Sequence, residues 1–327
     1  MRSAIRKRLI ELFTASNQNF VSSQQICDEL GCSRTAVWKH MEDLRKEGYE
    51  VEAVRRKGYR LLRKPDKISE DEILFGLDTE SFGRHIYFQK EVASTQLIAH
   101  DLVNEGAPHG TLVVSDHQTN GKGRLQRAWH SPNGTGIWMS LILRPEIPLH
   151  KAPQMTLLAS VAIAEAIADQ TGLRPSIKWP NDILLNGKKV VGILTELKAE
   201  ADQVHAVIIG PGINVNQTAD DFPDELKNVA TSLRMELNEK VDRAALIQQI
   251  MSTFEKRYAD YMKHGFAPIK QLWESFAMTI GQHIVARTVN GQYTGKALGI
   301  NEEGVLLLET EEEIQKIYSA DIEIKST

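Results

Sequence analysis

The segment 121–129, GKGRLQRAW, concentrates the residue types best suited to bind an anion. Its two glycines and three cations, all within seven residues, are Gly121, Gly123, Lys122, Arg124 and Arg127. Backbone N–H groups beside the glycines can approach phosphate oxygens closely, and the cations can neutralise their charge. The spacing is neither a P-loop nor a dinucleotide-binding fingerprint, so it supports neither a phosphate-transferring kinase nor a Rossmann enzyme. Taken alone, the segment also fits a mobile surface loop.

Other polar residues stand near the ends of apolar runs elsewhere in the central part of the chain. They are Ser94 and Thr95, Gln118, the motif KWPND at 178–182, Lys189 before VVGIL, and the motif GPGINVN at 210–216. Each has a simpler interpretation by itself, such as turn capping, core packing or a solvated hairpin lysine. Their order and spacing together are more specific than any one of them.

In this order the motifs resemble the family of bifunctional biotin-protein ligases and biotin-operon repressors, over essentially the whole chain. The glycine loop departs from the family's usual GRGRRGRxW, because Lys122 replaces the first arginine, Leu125 the third and Gln126 the last glycine. The cationic roles therefore rest on Lys122, Arg124 and Arg127. A side chain at 126 is expected to stiffen the loop, because glycine alone is free of the Cβ restriction.

The resemblance implies a role for each matching residue. The residues implied for biotin are Ser94, Thr95, Gln118, Gly121, Lys122, Gly123, Arg124 and Lys189. The residues implied for ATP or the adenylate are Lys122, Arg124, Arg127, Trp129, Asn181 and Asn214. The catalytic candidates are Lys189, Arg124 and Asp182, and Asp182 is also the candidate Mg²⁺ ligand.

The implied reaction is ATP-dependent and forms AMP. The biotin carboxylate attacks the α-phosphorus of ATP, the loop closes over biotinyl-5′-AMP, and the amine of an acceptor lysine displaces AMP. The implied partners are the biotin carboxyl carrier domains of biotin-dependent carboxylases, operator DNA, and a second copy of the chain when biotinyl-AMP is bound.

The first 65 residues predict a winged helix-turn-helix. Apolar residues recur at helical spacing in three segments, Gly31 separates the second from the third, and a hairpin with a basic tip follows. The candidate base-reading residues are Arg34, Thr35, Trp38 and Lys39, and the candidate phosphate contacts are Arg55, Arg56 and Lys57. A three-helix packing module without a DNA partner is the alternative.

The remaining pattern completes an α+β protein of three domains. Residues 66–277 alternate strands with helices, including a hairpin at Asn186 and Gly187, and predict the catalytic domain with a mixed sheet. Residues 278–327 alternate as short strands and predict a small SH3-like β-barrel.

Charge and composition agree with this division. Residues 1–65, which we call the head, carry a net charge of +6 and the remainder −10. Only the head is therefore expected to bind a polyanion. The chain has no apolar run of about 18 residues and no cleavable leader pattern, and Cys27 and Cys32 lack a second ligand pair at metal spacing. We therefore expect a cytoplasmic protein without a membrane or zinc.

Three functional hypotheses stay open from the sequence. The first is the ligase with a repressor head, the second a lipoyl or octanoyl transferase relative with a DNA-binding head, and the third a ligand-sensing repressor with a decayed enzyme site. The presence of Lys189 and KWPND argues against decay.

Overall fold

The computed structural model describes residues 2–16, 19–63, 65–200 and 203–325. The chain divides into two compact units, Met1–Gly76 and Leu77–Thr327. None of the described helices is both long enough and apolar enough to span a bilayer.

The first unit is a helix-turn-helix followed by a hairpin. Its elements are α1 Arg2–Ala15, α2 Ser23–Leu30, α3 Arg34–Lys46, β1 Glu50–Val54, β2 Gly58–Arg63 and α4 Glu70–Phe75. The Ser22 side chain accepts from the backbone of Gln25 in a reciprocal capping box, and Ser33 caps α3. Gly31 ends α2 with φ at 61°, a conformation that glycine adopts readily. The predicted turn between the two helices is therefore confirmed.

The head has a hydrophobic core of its own. Val37, Met41 and Leu44 of α3 are buried against side chains of α1 and α2. The β1–β2 hairpin is attached to the helices by Val21, which exchanges two backbone hydrogen bonds with Tyr59. A Cβ at Gly58 would lie 2.0 Å from the Val21 carbonyl oxygen, so this attachment requires glycine.

The second unit contains a seven-stranded and a five-stranded sheet. Its first part comprises β3 Ile86–Val92, α5 Thr95–Asn104, β4 Thr111–Gln118, β5 Gly136–Leu143, α6 Pro153–Thr171, β6 Ser176–Lys178, β7 Asp182–Leu185, β8 Lys188–Glu200 and β9 Gln203–Asn214. Its later helices are α7 Leu233–Leu237, α8 Arg243–His264 and α9 Ala267–Phe276. Its last strands are β10 His283–Thr288, β11 Gly291–Ile300, β12 Leu306–Glu309, β13 Ile314–Ile317 and β14 Asp321–Ile324.

The large sheet is mixed, as the sequence predicts. Its strand order is β3-β4-β5-β9-β8-β7-β6, with β3 and β4 parallel and the other neighbours antiparallel. Every residue of β5 is buried, so both faces of the sheet are covered there. Helix α5 packs on one face against Val113, Ile142 and Ile208. Helix α6 packs on the opposite face, where Thr156 donates to Thr195 of β8 at 2.7 Å.

The carboxy-terminal strands form an antiparallel sheet in the order β13-β12-β11-β10-β14. Within the described part of the chain, β13 and β14 do not pair with each other, so the sheet is not a closed barrel. The antiparallel sheet is confirmed, and the predicted barrel closure is not.

Candidate functional site

A cavity of about 480 Å³ opens on the α5 face of the large sheet. Its floor is set by the register of β8 and β9, in which Gly192 pairs with Gly212, Leu194 with Gly210, and Glu196 with Ile208. Side chains alternate between the faces of a sheet, so these paired positions share the face that Ile208 presents to α5. Three glycines in this row let side chains from other parts of the chain lie directly on the sheet and line the cavity.

Trp129 occupies one end of this floor. A Cβ at Gly212 would lie 2.2 Å from the indole nitrogen, and a Cβ at Gly192 would lie 2.8 Å from the ring. Glycine is therefore required at both positions for the indole to lie against the sheet. The indole N–H is buried without a hydrogen-bond partner among the described residues.

The polar end of the cavity is built around Gln118. Its Oε1 accepts hydrogen bonds from the Thr95 backbone at 2.9 Å and the Thr95 hydroxyl at 3.2 Å, while its Nε2 donates to Ser131 at 3.0 Å. Ser94, at the N-cap position of α5, lines the cavity but makes no capping bond with its side chain. This end therefore presents a preorganised set of donors and acceptors.

Gln96 is a cavity residue that the sequence analysis missed. Its Nε2 donates to Glu196 at 2.8 Å, and Glu196 also contacts His100 at 3.2 Å. Since a carboxylate oxygen only accepts, this contact fixes the orientation of the Gln96 amide. Its Oε1 is buried without a partner among the described residues, above Gly210.

Lys189 and Asp182 form an ion pair beside the indole. The Lys189 ammonium lies 2.7 Å from the Asp182 carboxylate and 5.2 Å from the Trp129 ring centroid. Its side chain is 34% exposed, and its backbone is held by hydrogen bonds with Val229 and Thr231. The Asn186–Gly187 turn before it has φ angles of 48° and 78°, as the predicted hairpin requires. Lys189 is thus paired and partly buried where it borders the cavity.

Arg124 lies in the same region and belongs to segment 121–129, which we call the cationic loop. One guanidinium nitrogen of Arg124 donates to Asn181 at 3.0 Å, and another donates to Ser319 at 2.6 Å. Burial lowers the pKa of the Arg124 guanidinium from its ordinary value, and the neighbouring carboxylates of Asp321 and Asp182 oppose that shift. The arrangement offers a cation whose charge is screened less than at the surface.

The other two loop cations are exposed. Arg127 pairs with Asp321 near the start of β14, whereas Lys122 makes no ion pair among the described residues. Leu125 and Gln126 both have positive φ, at 55° and 59°. Gln126 stands where the family usually has glycine, and its positive φ is strained for a residue with a side chain.

The two asparagines predicted for the adenylate are both buried. The Asn181 amide donates to the Ile193 carbonyl at 3.0 Å, and the Asn214 carbonyl oxygen accepts from Gln217 at 3.1 Å. Further lining residues that the sequence analysis did not single out are Phe222, Leu226, Asn228, Val229 and Ala230.

The cavity gathers almost every predicted ligase residue. Those that line it are Ser94, Thr95, Gln118, Lys122, Gly123, Arg124, Arg127, Trp129, Asn181, Asp182, Lys189 and Asn214. Gly121, the first residue of the loop, does not line the cavity, and a Cβ there would lie 2.6 Å from the Ser131 hydroxyl. Asp321, from the carboxy-terminal sheet, is a further lining residue that the sequence analysis missed.

The candidate nucleic-acid residues lie on the exposed surface of the first unit. Arg34, Thr35, Trp38 and Lys39 project from α3, and Arg55, Arg56 and Lys57 form the hairpin tip. Trp38 is 58% exposed. Arg34 donates to Gln24 of α2 at 3.1 Å, so its guanidinium is oriented within the helix-turn-helix.

Family models match three parts of the chain. The biotin/lipoate A/B protein ligase family matches residues 87–214, an HTH domain matches 5–60, and the biotin protein ligase C-terminal domain matches 279–325.

Similar proteins share this organisation. The bifunctional ligase/repressor BirA of Bacillus spizizenii is 65% identical over 99% of this chain and all of its own length. The bifunctional ligase/repressor BirA of Escherichia coli is 27% identical over 95% of each chain. The structure of the biotin protein ligase from Aquifex aeolicus in complex with biotin and ATP superposes with a TM-score of 0.65 and 31% identity, over 75% of this chain and all of that one. The chain therefore belongs to the family of bifunctional biotin-protein ligases and repressors.

Proposed function

We propose that this protein activates biotin with ATP to biotinyl-5′-AMP and transfers biotin to a lysine of carboxyl carrier domains. The observation that carries the proposal is the cavity itself, in which the Lys189–Asp182 pair, Asn181 and the cationic loop meet above a floor of glycines. One end of this cavity is polar and neutral, and the other is cationic. A ligand with a neutral hydrogen-bonding head and a carboxylate tail matches that division.

Each set of residues has a distinct role in the proposal. Ser94, Thr95 and Gln118 bind the ureido end of biotin, and Gly121 and Gly123 let the loop backbone come close to it. Trp129, Asn181 and Asn214 surround the adenylate, and Lys122, Arg124 and Arg127 face its phosphate charges. Lys189 lies between the two ligands and contacts the biotin carboxylate and the α-phosphate.

The chemistry of the first step follows from these positions. The biotin carboxylate attacks the α-phosphorus, the bond to the bridging oxygen breaks, and pyrophosphate leaves. Lys189 and Arg124 stabilise the charge that accumulates on the α-phosphate oxygens in the transition state. In the second step the acceptor amine attacks the acyl carbonyl, AMP leaves, and the amine gives up a proton to a nearby base, for which we propose the Asp182 carboxylate.

The residues present fit a magnesium ion that is bound mainly through ATP. The described residues contain no group of three or more His, Cys, Asp or Glu side chains suited to hold a metal by themselves. The buried Oδ1 of Asp182 lies 2.7 Å from the Lys189 ammonium and accepts no hydrogen bond of good geometry from the described residues. Because Mg²⁺ in nucleotide sites is commonly held by one or two carboxylates, water and phosphates, Asp182 would serve as the protein ligand. The ion would there neutralise charge on the departing pyrophosphate.

The first unit supplies the repressor activity in this proposal. Exposed polar side chains of α3 enter the major groove and the basic hairpin tip contacts phosphate. Binding to a palindromic operator requires two heads, so we propose that biotinyl-AMP promotes a homodimer. We also propose that the carboxy-terminal sheet is an SH3-like domain that helps to close the catalytic site.

One experiment tests both activities together. Operator affinity and sedimentation are measured at fixed salt for the protein alone, with biotin, and with biotin plus ATP. We expect biotin plus ATP to raise both the operator affinity and the mass, with a coupling of about 5- to 150-fold in affinity. Adding an unbiotinylated carrier domain is expected to reverse both changes, because acceptance of biotin removes the adenylate. Equal affinity and mass in all conditions would contradict the coupling and leave two activities that only share a chain.

A further inference from the structure

The cationic loop is tied to the carboxy-terminal sheet by three consecutive residues. Arg124 donates to the Ser319 hydroxyl at 2.6 Å and to the Ala320 carbonyl at 3.5 Å, and Arg127 pairs with the Asp321 carboxylate. These three residues, 319–321, lie between β13 and the first position of β14, and we name them the clasp. They are more than 190 positions away from the loop in sequence.

Within itself the loop is held by backbone contacts alone, as far as the described residues show. Gly123 donates to the Arg127 carbonyl at 2.8 Å, Arg127 to the Arg124 carbonyl at 3.2 Å, and Trp129 to the Gly121 carbonyl at 2.9 Å. Leu125 is 64% exposed, and both it and Gln126 adopt the left-handed conformation. Such a conformation costs a non-glycine residue on the order of 1 kcal/mol, so contacts outside the loop must maintain it.

The contacts of the clasp differ in how readily they can be released. Arg124 is half-buried and also donates to Asn181, so its contacts with Ser319 and Ala320 are part of a packed arrangement. Arg127 and Asp321 have side chains that are 65% and 40% exposed. An exposed ion pair breaks and re-forms easily. Asp321 is therefore the part of the clasp that can open while the remainder of the sheet stays folded.

We propose that the clasp is a positioning element for the reaction, in which Asp321 holds the loop closed through Arg127 and so retains the acyl adenylate in the cavity. This inference rests on the proposed function, because it concerns the same site. Its physical basis is that Asp321 lines the cavity and faces both loop arginines, so its charge favours the closed loop directly. The carboxy-terminal sheet then contributes to catalysis because the closed loop excludes water, although no residue of the sheet touches a reacting atom.

The test compares Asp321→Asn with a matched control on the same strand. Glu323 of β14 pairs with Arg287 at 2.6 Å, with side chains 58% and 56% exposed, and it does not line the cavity. Glu323→Gln thus removes an exposed ion pair of the same sheet and leaves the loop alone. Both variants are expected to have the thermal midpoint of the unmodified protein, because exposed pairs contribute little to stability.

Two measurements on the full chain follow loop closure and adenylate retention. The first is the rate of limited tryptic cleavage after Lys122 and Arg124, located by mass spectrometry. The second is the rate at which preformed biotinyl-AMP is lost in the absence of an acceptor. Asp321→Asn is expected to raise both rates about 3- to 5-fold, the factor that corresponds to an exposed pair. Glu323→Gln is expected to change neither rate.

A charge exchange separates pairing from other effects of the substitution. The double variant Arg127→Asp, Asp321→Arg is expected to return tryptic cleavage after Lys122 and Arg124 towards the original rate. The inference is overturned if Asp321→Asn matches Glu323→Gln in cleavage, or if cleavage accelerates while adenylate loss does not. Failure of the proposed function looks different, because the unmodified protein would then form no adenylate, while the cleavage rates would still report on the clasp.

Discussion

Replacing Lys189 with alanine is expected to slow adenylate formation by about 10²- to 10³-fold, the effect of removing one preorganised group that stabilises transition-state charge. The ammonium is held 2.7 Å from Asp182, beside the Trp129 ring, and lines the cavity. The fold should persist, because the backbone bonds of residue 189 with Val229 and Thr231 do not need its side chain. Single-turnover formation of biotinyl-AMP measures the rate, and thermal unfolding checks the fold.

Lys188→Ala is the matched control for this prediction. It removes a lysine from the neighbouring position of the same strand, and Lys188 does not line the cavity. We expect its rate of adenylate formation to stay close to that of the unmodified protein. If Lys189→Ala lost thermal stability but kept its rate, Lys189 would be a structural hairpin residue.

Deleting residues 1–76 is expected to weaken operator binding by at least about 10³-fold, because specific binding typically exceeds non-specific binding by that factor or more. Adenylate formation should be largely unchanged, because all the lining residues of the cavity lie between Ser94 and Asp321. The deletion ends at Gly76 because α4 packs with α1 and Phe75 lies against the hydrophobic core of the first unit. A gel-shift titration at fixed salt and a single-turnover assay measure the two activities.

The distribution of net charge agrees with DNA binding by the first unit and catalysis by the second, since the first 65 residues carry +6 and the remainder −10. A truncated protein that still bound the operator specifically would locate the DNA site in residues 77–327. Loss of adenylate formation together with a normal thermal midpoint would mean that the head contributes to catalysis.

The elements that could be predicted from the sequence are those defined by contacts between residues a few positions apart. The capping box at Ser22 and the left-handed Gly31 define the helix-turn-helix through contacts within a few residues. The Asn186–Gly187 turn defines its hairpin in the same way. Closure of the carboxy-terminal strands was not predictable by this route, because strand alternation indicates which face is buried but not which edge strands pair.

In the candidate site, too, local sequence patterns predicted only some of the residues. Family motifs identified Lys189, Asn181 and the loop cations, but the glycine floor depends on how β8 pairs with β9. Only that register places Gly192, Gly210 and Gly212 on one face, where two of them accommodate Trp129 and one accommodates Gln96. Asp321 was missed for a related reason, because nothing near it in sequence indicates that it meets Arg127 across the fold.

The most direct test of the central claim is ATP–pyrophosphate exchange with biotin and lipoate offered separately to the full-length protein. Exchange requires reversible formation of an acyl adenylate, so it reports on the first chemical step without an acceptor. Lipoate is the necessary comparison, because the family model that matches residues 87–214 covers both biotin and lipoate ligases. We predict exchange with biotin that is lost in Lys189→Ala, and little or none with lipoate. Exchange with lipoate alone would contradict the assignment of the substrate, and exchange with neither would mean that the cavity only senses its ligand.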